Sequence, residues 1–214
     1  MRLILILLLA LWTGGAAAHH EAEGRMQVIL VEELGEETVL YIRLPAPLLF
    51  TAESLARSSA LDRVEAPFLR AEQQRDVWIH WLDRQAIAAD RDGFAARIGD
   101  ALAITLDGEA VTPELSEFTV HGVDTLPVFG TPEEASASLA APLDGSDPQV
   151  SAAFVDARLE IDGTGSLTIR SNVDQRAVPP QVYIETIVID FRTDPAHQLV
   201  RVGALDQAIA LEGN

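Results

Sequence analysis

Histidines near the start of the chain are the residues whose type and position best suit chemistry. His19 directly follows Ala18, and cleavage between these two residues would make His19 the first residue of the mature chain. The α-amine and the imidazole of an N-terminal histidine can chelate one metal ion, and such nitrogens suit copper or nickel. The sequence therefore predicts a copper or nickel site at His19, with His20, His80 and His121 as candidates to complete it. The alternative is that the His-His segment binds metal weakly and without function.

Acidic residues close to two of these histidines support a second hypothesis. Asp83 lies three residues after His80, and Asp124 lies three residues after His121. A carboxylate can orient a catalytic imidazole, so an exported hydrolase could build its site from these four residues if they converge in one pocket. The competing interpretation is that His80, within the apolar run DVWIHWL, is a partly buried structural residue.

No sequence motif of an established catalytic class accompanies these residues. The chain has no Cys, no Gly-x-Ser-x-Gly, no His-Glu-x-x-His and no dinucleotide-binding glycine pattern. The segment Gly163-Thr164-Gly165 joins two predicted strands, so we interpret it as a turn. The sequence therefore favours a protein without a catalytic site.

The first eighteen residues have the pattern of a secretory signal peptide. Arg2 precedes an apolar run over residues 3–12, and small residues with an Ala-x-Ala site end at Ala18. The run is shorter than the roughly 20 residues that a membrane-spanning helix needs. We therefore expect residues 19–214 to form a periplasmic or secreted chain that does not itself span a membrane.

The charge balance restricts the class of partner. The chain has 33 acidic residues against 15 basic ones, all of them Arg, and a formal net charge of −18. Phosphate backbones would be repelled, so no nucleic-acid partner is expected. Because the acidic residues are spread along the chain, we interpret them as a solvated surface that keeps the protein soluble.

Runs of apolar and alternating residues predict a mainly β chain. Residues 26–34 and 38–44 flank Gly35-Glu36 and are typical of a hairpin, and Asp107-Gly108 is the clearest hairpin turn. We expect an antiparallel β-sandwich-like fold with one or two short helices inserted. Further strands are predicted at 76–82, 101–106, 110–111, 115–121, 153–161, 166–172, 182–192, 198–202 and 206–211.

The inserted helices are predicted from spacing and capping residues. Residues 83–98 carry apolar residues at helical spacing, and residues 131–139 begin with Thr-Pro, which suits a helix N-terminus. A short helix is also predicted at 51–59. The segment PLDGSDP at 142–148 is the best linker candidate. We favour a single domain over residues 19–214, with a subdivision near residue 145 as the alternative.

Several of these segments together resemble a known extracytoplasmic domain. The Ala-His junction, the strand pair MQVILVEEL and TVLYIRLP, the segment GFAARIGDALAITLDGEAVTP, and VYIETIVIDFR followed by HQLVRV are the points of similarity. The layout resembles the β domain that precedes the membrane helices of HupE/UreJ-like proteins. Proteins of that type are associated with nickel or cobalt passage, so the resemblance implies an exported module that acts beside a separate membrane partner. It identifies no site residues.

These observations favour a non-enzymatic, exported β-rich module as the function. We expect it to bind a protein partner or to assist a membrane transport system. A copper- or nickel-binding periplasmic protein that uses His19 is the first alternative, and an exported hydrolase is the second.

Overall fold

The computed structural model describes residues 26–56, 62–143, 145–173, 184–202 and 207–213. In these ranges the chain is mainly β, which confirms the fold class predicted from the sequence. The predicted signal peptide, His19 and His20 lie outside the described residues. None of the helices in the described ranges has both the length and the apolar character needed to cross a membrane.

Strands and helices follow one another along the chain with short connections. The helices are α1 (Thr51–Leu55), α2 (Arg84–Ala89), α3 (Arg91–Gly99) and α4 (Pro132–Leu139), and 3₁₀ turns occupy Ala46–Phe50, Val123–Thr125 and Val150–Ala152. The strands are β1 (Met26–Leu34), β2 (Glu37–Pro45), β3 (Leu69–Gln74), β4 (Val77–Leu82), β5 (Leu102–Leu106), β6 (Glu109–Val111), β7 (Glu114–Gly122), β8 (Ala153–Asp162), β9 (Leu167–Ser171), β10 (Glu185–Asp190), β11 (His197–Val202) and β12 (Ile209–Leu211).

The described strands form two packed sheets and a separate hairpin. The large sheet has the order β11-β10-β1-β2-β8-β7, the small sheet has the order β12-β9-β5-β6, and β3 pairs with β4 alone. Among the pairs of strands in the described ranges, only β1 and β10 run parallel, so the large sheet is mixed rather than purely antiparallel. Strands from both sides of residue 145 contribute to both sheets, because β8 lies between β2 and β7 and β9 lies beside β5.

Alternation along the central strands builds the core between the two sheets. Leu40 and Ile42 of β2 are fully buried and belong to one apolar cluster with Ile104 and Ile169 of the small sheet. Phe94 of α3 joins the same cluster. Since side chains alternate between the two faces of a strand, the intervening residues of β2 lie on the opposite, outer face of the large sheet.

Helix α4 covers part of that outer face. Ala135 and Leu139 of this helix are buried against Val39 and Tyr41 of β2, together with Phe129. The helix begins as the sequence predicted, because Thr131 accepts a hydrogen bond from the backbone N–H of Glu134 and Pro132 occupies the first turn. The large sheet therefore has apolar layers on both faces.

Two features of the fold differ from the sequence prediction. The single helix predicted at 83–98 is two helices, because Asp90 leaves the helical conformation with φ −135° and caps α3 through Gly93 N–H. Strand β3 was not predicted, since its sequence LRAEQQ lacks an apolar alternation and most of its residues are exposed. The break at Asp90 follows from a polar capping contact, and strand β3 forms because its backbone pairs with β4. Neither feature depends on a buried apolar pattern.

The packing of Leu40 yields a first prediction. Replacing Leu40, which is fully buried between the sheets, with Ala should lower the free energy of unfolding by about 2–5 kcal/mol, because the deletion leaves a cavity. Urea unfolding measures the loss. The matched control is Val128→Ala at a side chain that is 70% exposed, where a change within about 0.5 kcal/mol is expected. Equal effects at the two positions would contradict the described core.

Candidate functional site

A buried ion pair joins the two central strands beneath α4. Arg43 of β2 and Asp156 of β8 are cross-strand partners on the outer face of the large sheet. Arg43 Nε donates to Asp156 Oδ1 at 2.7 Å and Arg43 Nη2 donates to Asp156 Oδ2 at 2.7 Å. Both residues are buried, with Asp156 wholly inaccessible to water. This two-bond geometry is the strong form of an arginine–carboxylate pair.

The remaining face and edge of the Arg43 guanidinium contact the segment before α4. Arg43 Nη1 donates to the carbonyl oxygen of Pro127 at 2.8 Å. The Arg43 Cζ atom lies 4.4 Å from the centre of the Phe129 ring, a cation–π contact. The charged group therefore fixes the chain on the N-terminal side of α4 against the sheet.

Ser138 of α4 and His121 of β7 complete the cluster. Ser138 Oγ donates to Asp156 Oδ2 at 2.5 Å and lies 3.0 Å from His121 Nε2. A hydroxyl has one proton to donate, so Ser138 Oγ accepts from His121 Nε2–H, and His121 carries its proton on Nε2. We call Arg43, His121, Ser138 and Asp156 the polar cluster.

The polar cluster contains serine, histidine and aspartate, but its geometry is not that of a hydrolase triad. In a triad, serine and aspartate bind opposite nitrogens of the imidazole. Here Ser138 Oγ and Asp156 Oδ2 lie 3.0 and 3.4 Å from the same atom, His121 Nε2. The Ser138 proton is directed to Asp156, and all three side chains are buried. The arrangement can fix elements in place but cannot activate Ser138 as a nucleophile.

Opposing effects set the protonation of Asp156. Burial would raise the pKa of this carboxyl, but hydrogen bonds from Arg43, His121 and Ser138 and the positive charge of Arg43 lower it below its usual value. Asp156 is therefore the charged partner of Arg43 at neutral pH.

The residues proposed for a hydrolase have separate structural roles. His80 lies on β4 and its Nε2 accepts from the backbone N–H of Val64 at 2.9 Å, whereas His121 lies on β7 in the polar cluster. Asp83 caps α2 by accepting from Ala86 N–H at 2.8 Å, and Asp124 is exposed in a 3₁₀ turn. The contacts described for these four residues do not form a common pocket.

The histidines proposed as metal ligands are only partly within the described residues. His80 and His121 are described, and in the described ranges no group of three His, Asp or Glu side chains is arranged to hold a metal ion. His19 and His20 lie outside these ranges, so the N-terminal copper or nickel site stays a prediction.

Sequence reasoning missed three of the four members of the polar cluster. Arg43 is the one charged residue of TVLYIRL, and Asp156 directly follows the apolar run AAFV in AAFVDARLEI. A charge next to an apolar run in a buried strand requires a partner, so opposite charges at such positions in two strands are the signal that could have identified the pair. Ser138 had no comparable signal in the sequence.

A second feature, on the surface, is hairpin β3–β4. Val77 of this hairpin is 45% exposed, and Trp78 and Trp81 are half-buried. Arg63 lies over the Trp78 ring at 5.6 Å and Arg70 lies over the Trp81 ring at 5.7 Å. Since side chains alternate between the two faces of a strand, Val77 and Trp81 lie on one face of the hairpin with Arg70, the cross-strand partner of Trp81, and Trp78 lies on the opposite face. We call Val77, Trp81 and Arg70 the hairpin surface.

A scan against protein-family models finds no match, and a search of curated proteins finds no significantly similar sequence.

Removing the charge of Asp156 should leave Arg43 buried without a counter-charge. We expect Asp156→Asn to lower the free energy of unfolding by about 3–5 kcal/mol, measured by urea denaturation. Asp124→Asn removes the same charge at an exposed position and should change stability by no more than about 0.5 kcal/mol. A loss below about 1 kcal/mol for Asp156→Asn would contradict the role assigned to the ion pair.

The lowered pKa of Asp156 also predicts a pH dependence. A carboxyl with a depressed pKa in the folded state stabilises the fold above its unfolded pKa of about 3.9, and this contribution is lost as pH falls through the folded pKa. Asn does not titrate, so the stability difference between wild type and Asp156→Asn should be constant near neutral pH. It should shrink below about pH 4. A difference that stays constant or widens in acid would be inconsistent with a charged Asp156.

Proposed function

We propose that residues 19–214 form an exported, non-catalytic β-sandwich module that binds a membrane protein partner through hairpin β3–β4. The signal-peptide pattern of residues 1–18 supports export to the periplasm or secretion. The resemblance to the extracytoplasmic domain of HupE/UreJ-like proteins supports a role beside a membrane transport system. The polar cluster supports the absence of catalysis, because its serine, histidine and aspartate are buried and bonded to one another.

The composition of the hairpin surface is the observation that carries the proposal. Trp and Arg are the residues that most often dominate the energy of protein–protein binding, and the pair of Trp81 with Arg70 lies on the same face of the hairpin as the exposed Val77. Among the described strands, β3 and β4 pair only with each other, and β4 also bridges to Gln149 through Trp81. The hairpin can therefore contact a partner without disturbing either sheet.

Site-specific photocrosslinking in the producing cell tests the partner surface. A photoreactive residue at Val77 should form an adduct with a membrane protein in the cell-envelope fraction. The matched control is Val200, an equally exposed valine on the edge strand β11, at 46% against 45% for Val77. Adducts at both positions, or at neither, would contradict binding through the hairpin.

Export is tested by the mass of the processed protein. We expect the chain recovered from the extracytoplasmic fraction to begin at His19, since the Ala-x-Ala site ends at Ala18. Intact-mass measurement and N-terminal sequencing give the cleavage point. An unprocessed chain confined to the cytoplasm would contradict the proposal.

Metal binding at the mature N-terminus is a second candidate function, favoured by the position of His19 directly after Ala18. Calorimetric titration of the mature chain with copper or nickel should give one tight site, and one added N-terminal Ala should abolish it, because the extension displaces the chelating α-amine. Identical weak binding by both chains would overturn this candidate. That result would leave the partner-binding proposal intact.

A further inference from the structure

Strand β3 is the open edge of hairpin β3–β4. The outer edge of β4 is partly bound, because Leu82 N–H donates to the carbonyl oxygen of Pro148 at 3.0 Å. Trp81 and Gln149 form an isolated bridge beside this bond. In the described ranges, β3 pairs with no strand other than β4. The open edge of a strand presents backbone donors and acceptors with which a further strand can pair.

The register of the hairpin determines which backbone groups of β3 point outward. Leu69 lies opposite Leu82, and the two do not bond to each other, because both N–H groups donate outside the hairpin. Since the direction of the backbone groups alternates along an antiparallel strand, Ala71 and Gln73 point the same way as Leu69. Their N–H and C=O groups lie at the open edge, where no backbone contact of the described residues occupies them.

Two opposite charges flank Ala71 at this edge. Arg70 and Glu72 lie on the same face of β3, since side chains alternate along a strand, and their side chains are 48% and 56% exposed. Within the chain, Arg70 Nη1 lies 3.8 Å from Glu72 Oε2, and Arg70 Nη2 lies 3.5 Å from Asp147 Oδ2. Such long, exposed ion pairs contribute little to stability, so both charges remain open to a strand placed beside β3.

We infer that β3 pairs antiparallel with β3 of a second copy of this chain, about a twofold axis at Ala71. The two Ala71 residues then exchange backbone hydrogen bonds, and Arg70 of each copy lies directly opposite Glu72 of the other. Opposite charges at directly opposed positions stabilise an antiparallel pair. A register centred on Glu72 would oppose two carboxylates, and one centred on Gln73 would place Arg70 opposite the turn at residues 75–76.

The size and charge of the chain set the strength of this dimer. Each copy carries a formal net charge of −18, but at about 0.15 M salt repulsion is largely screened beyond about 8 Å. The contacts across the edge are shorter than that distance and keep their attraction. Strand β3 has six residues, so the shared interface is small and the dimer is reversible rather than permanent.

The pairing would join the two hairpins into one four-stranded sheet with the order β4-β3-β3-β4. Directly opposed side chains share a face of a sheet, so the hairpin surfaces of both copies lie on the same side. The inference goes beyond the proposed function, because it concerns the edge of β3 rather than the face that carries Val77 and Trp81. Either can fail while the other holds.

Sedimentation equilibrium of the purified protein at about 0.15 M salt tests the pairing. The wild type should show a monomer–dimer equilibrium at concentrations of roughly 10–100 μM. Arg70→Glu and Glu72→Arg should each weaken the dimer by about tenfold, because each places like charges opposite one another. An equimolar mixture of the two variants should recover the dimer, since the acidic edge of one chain then faces the basic edge of the other.

A variant of the backbone and a matched control complete the experiment. Ala71→Pro removes the outward N–H and should abolish the dimer, while the fold is kept because this N–H takes no part in the β3–β4 ladder. Glu109→Arg makes the same charge change as Glu72→Arg at an exposed position on β6 and should leave the dimer within about twofold of wild type.

Four results would overturn the inference. The first is a wild-type chain that is monomeric at every concentration, which would leave the edge of β3 to a different partner. The second is a dimer that persists in Arg70→Glu and Glu72→Arg, which would place the interface elsewhere. The third is a mixture of these two variants that stays monomeric. The fourth is an equal loss in Glu109→Arg, which would show a general effect of charge.

Discussion

Burial of the Arg43 guanidinium is the constraint on which the outer half of the structure depends. A charged group removed from water must have nearly all its donors satisfied, because an unpaired buried charge costs several kcal/mol. The donors of Arg43 reach β8 through Asp156 and the segment before α4 through Pro127. Ser138 of α4 and His121 of β7 complete the coordination of Asp156. The ion pair therefore links α4 to the large sheet, together with the apolar contacts of Ala135 and Leu139.

The residues of the buried ion pair and its neighbours, which stabilise the fold, are distinct from the residues that are accessible on the surface. His121 and Ser138 are buried between α4 and the large sheet, and their hydrogen bonds are directed at Asp156 and at each other. The hairpin surface lies on other elements, where Val77 and Trp81 are at least partly accessible.

The sequence was sufficient to predict those elements whose conformation depends on local residue patterns. The β1–β2 hairpin follows from two apolar runs around Gly35, which adopts a φ of +70°. The β5–β6 turn follows from Asp107 and Gly108, which both have positive φ as a type I′ turn requires. The N-terminus of α4 follows from Thr131 and Pro132 for equally local reasons.

Features that depend on distant partners could not be predicted in this way. The parallel pairing of β1 with β10 joins residues more than 150 positions apart, and no local signal specifies it. Likewise, the partnership of Arg43 with Asp156 and Ser138 depends on β8 lying beside β2 and on α4 covering both. Asp83, by contrast, was considered for catalysis because it lies near His80, although its capping of α2 through Ala86 N–H is a local contact at the start of the helix predicted over 83–98.

A double-mutant cycle on Arg43 and Asp156 tests most directly whether this ion pair organises the outer layer. The free energies of unfolding of wild type, Arg43→Met, Asp156→Leu and the double variant would be measured in urea. The account predicts a double variant more stable than either single variant and a coupling energy of about 2 kcal/mol or more, since removing both charges leaves none unpaired. Losses that add within about 0.5 kcal/mol would contradict it.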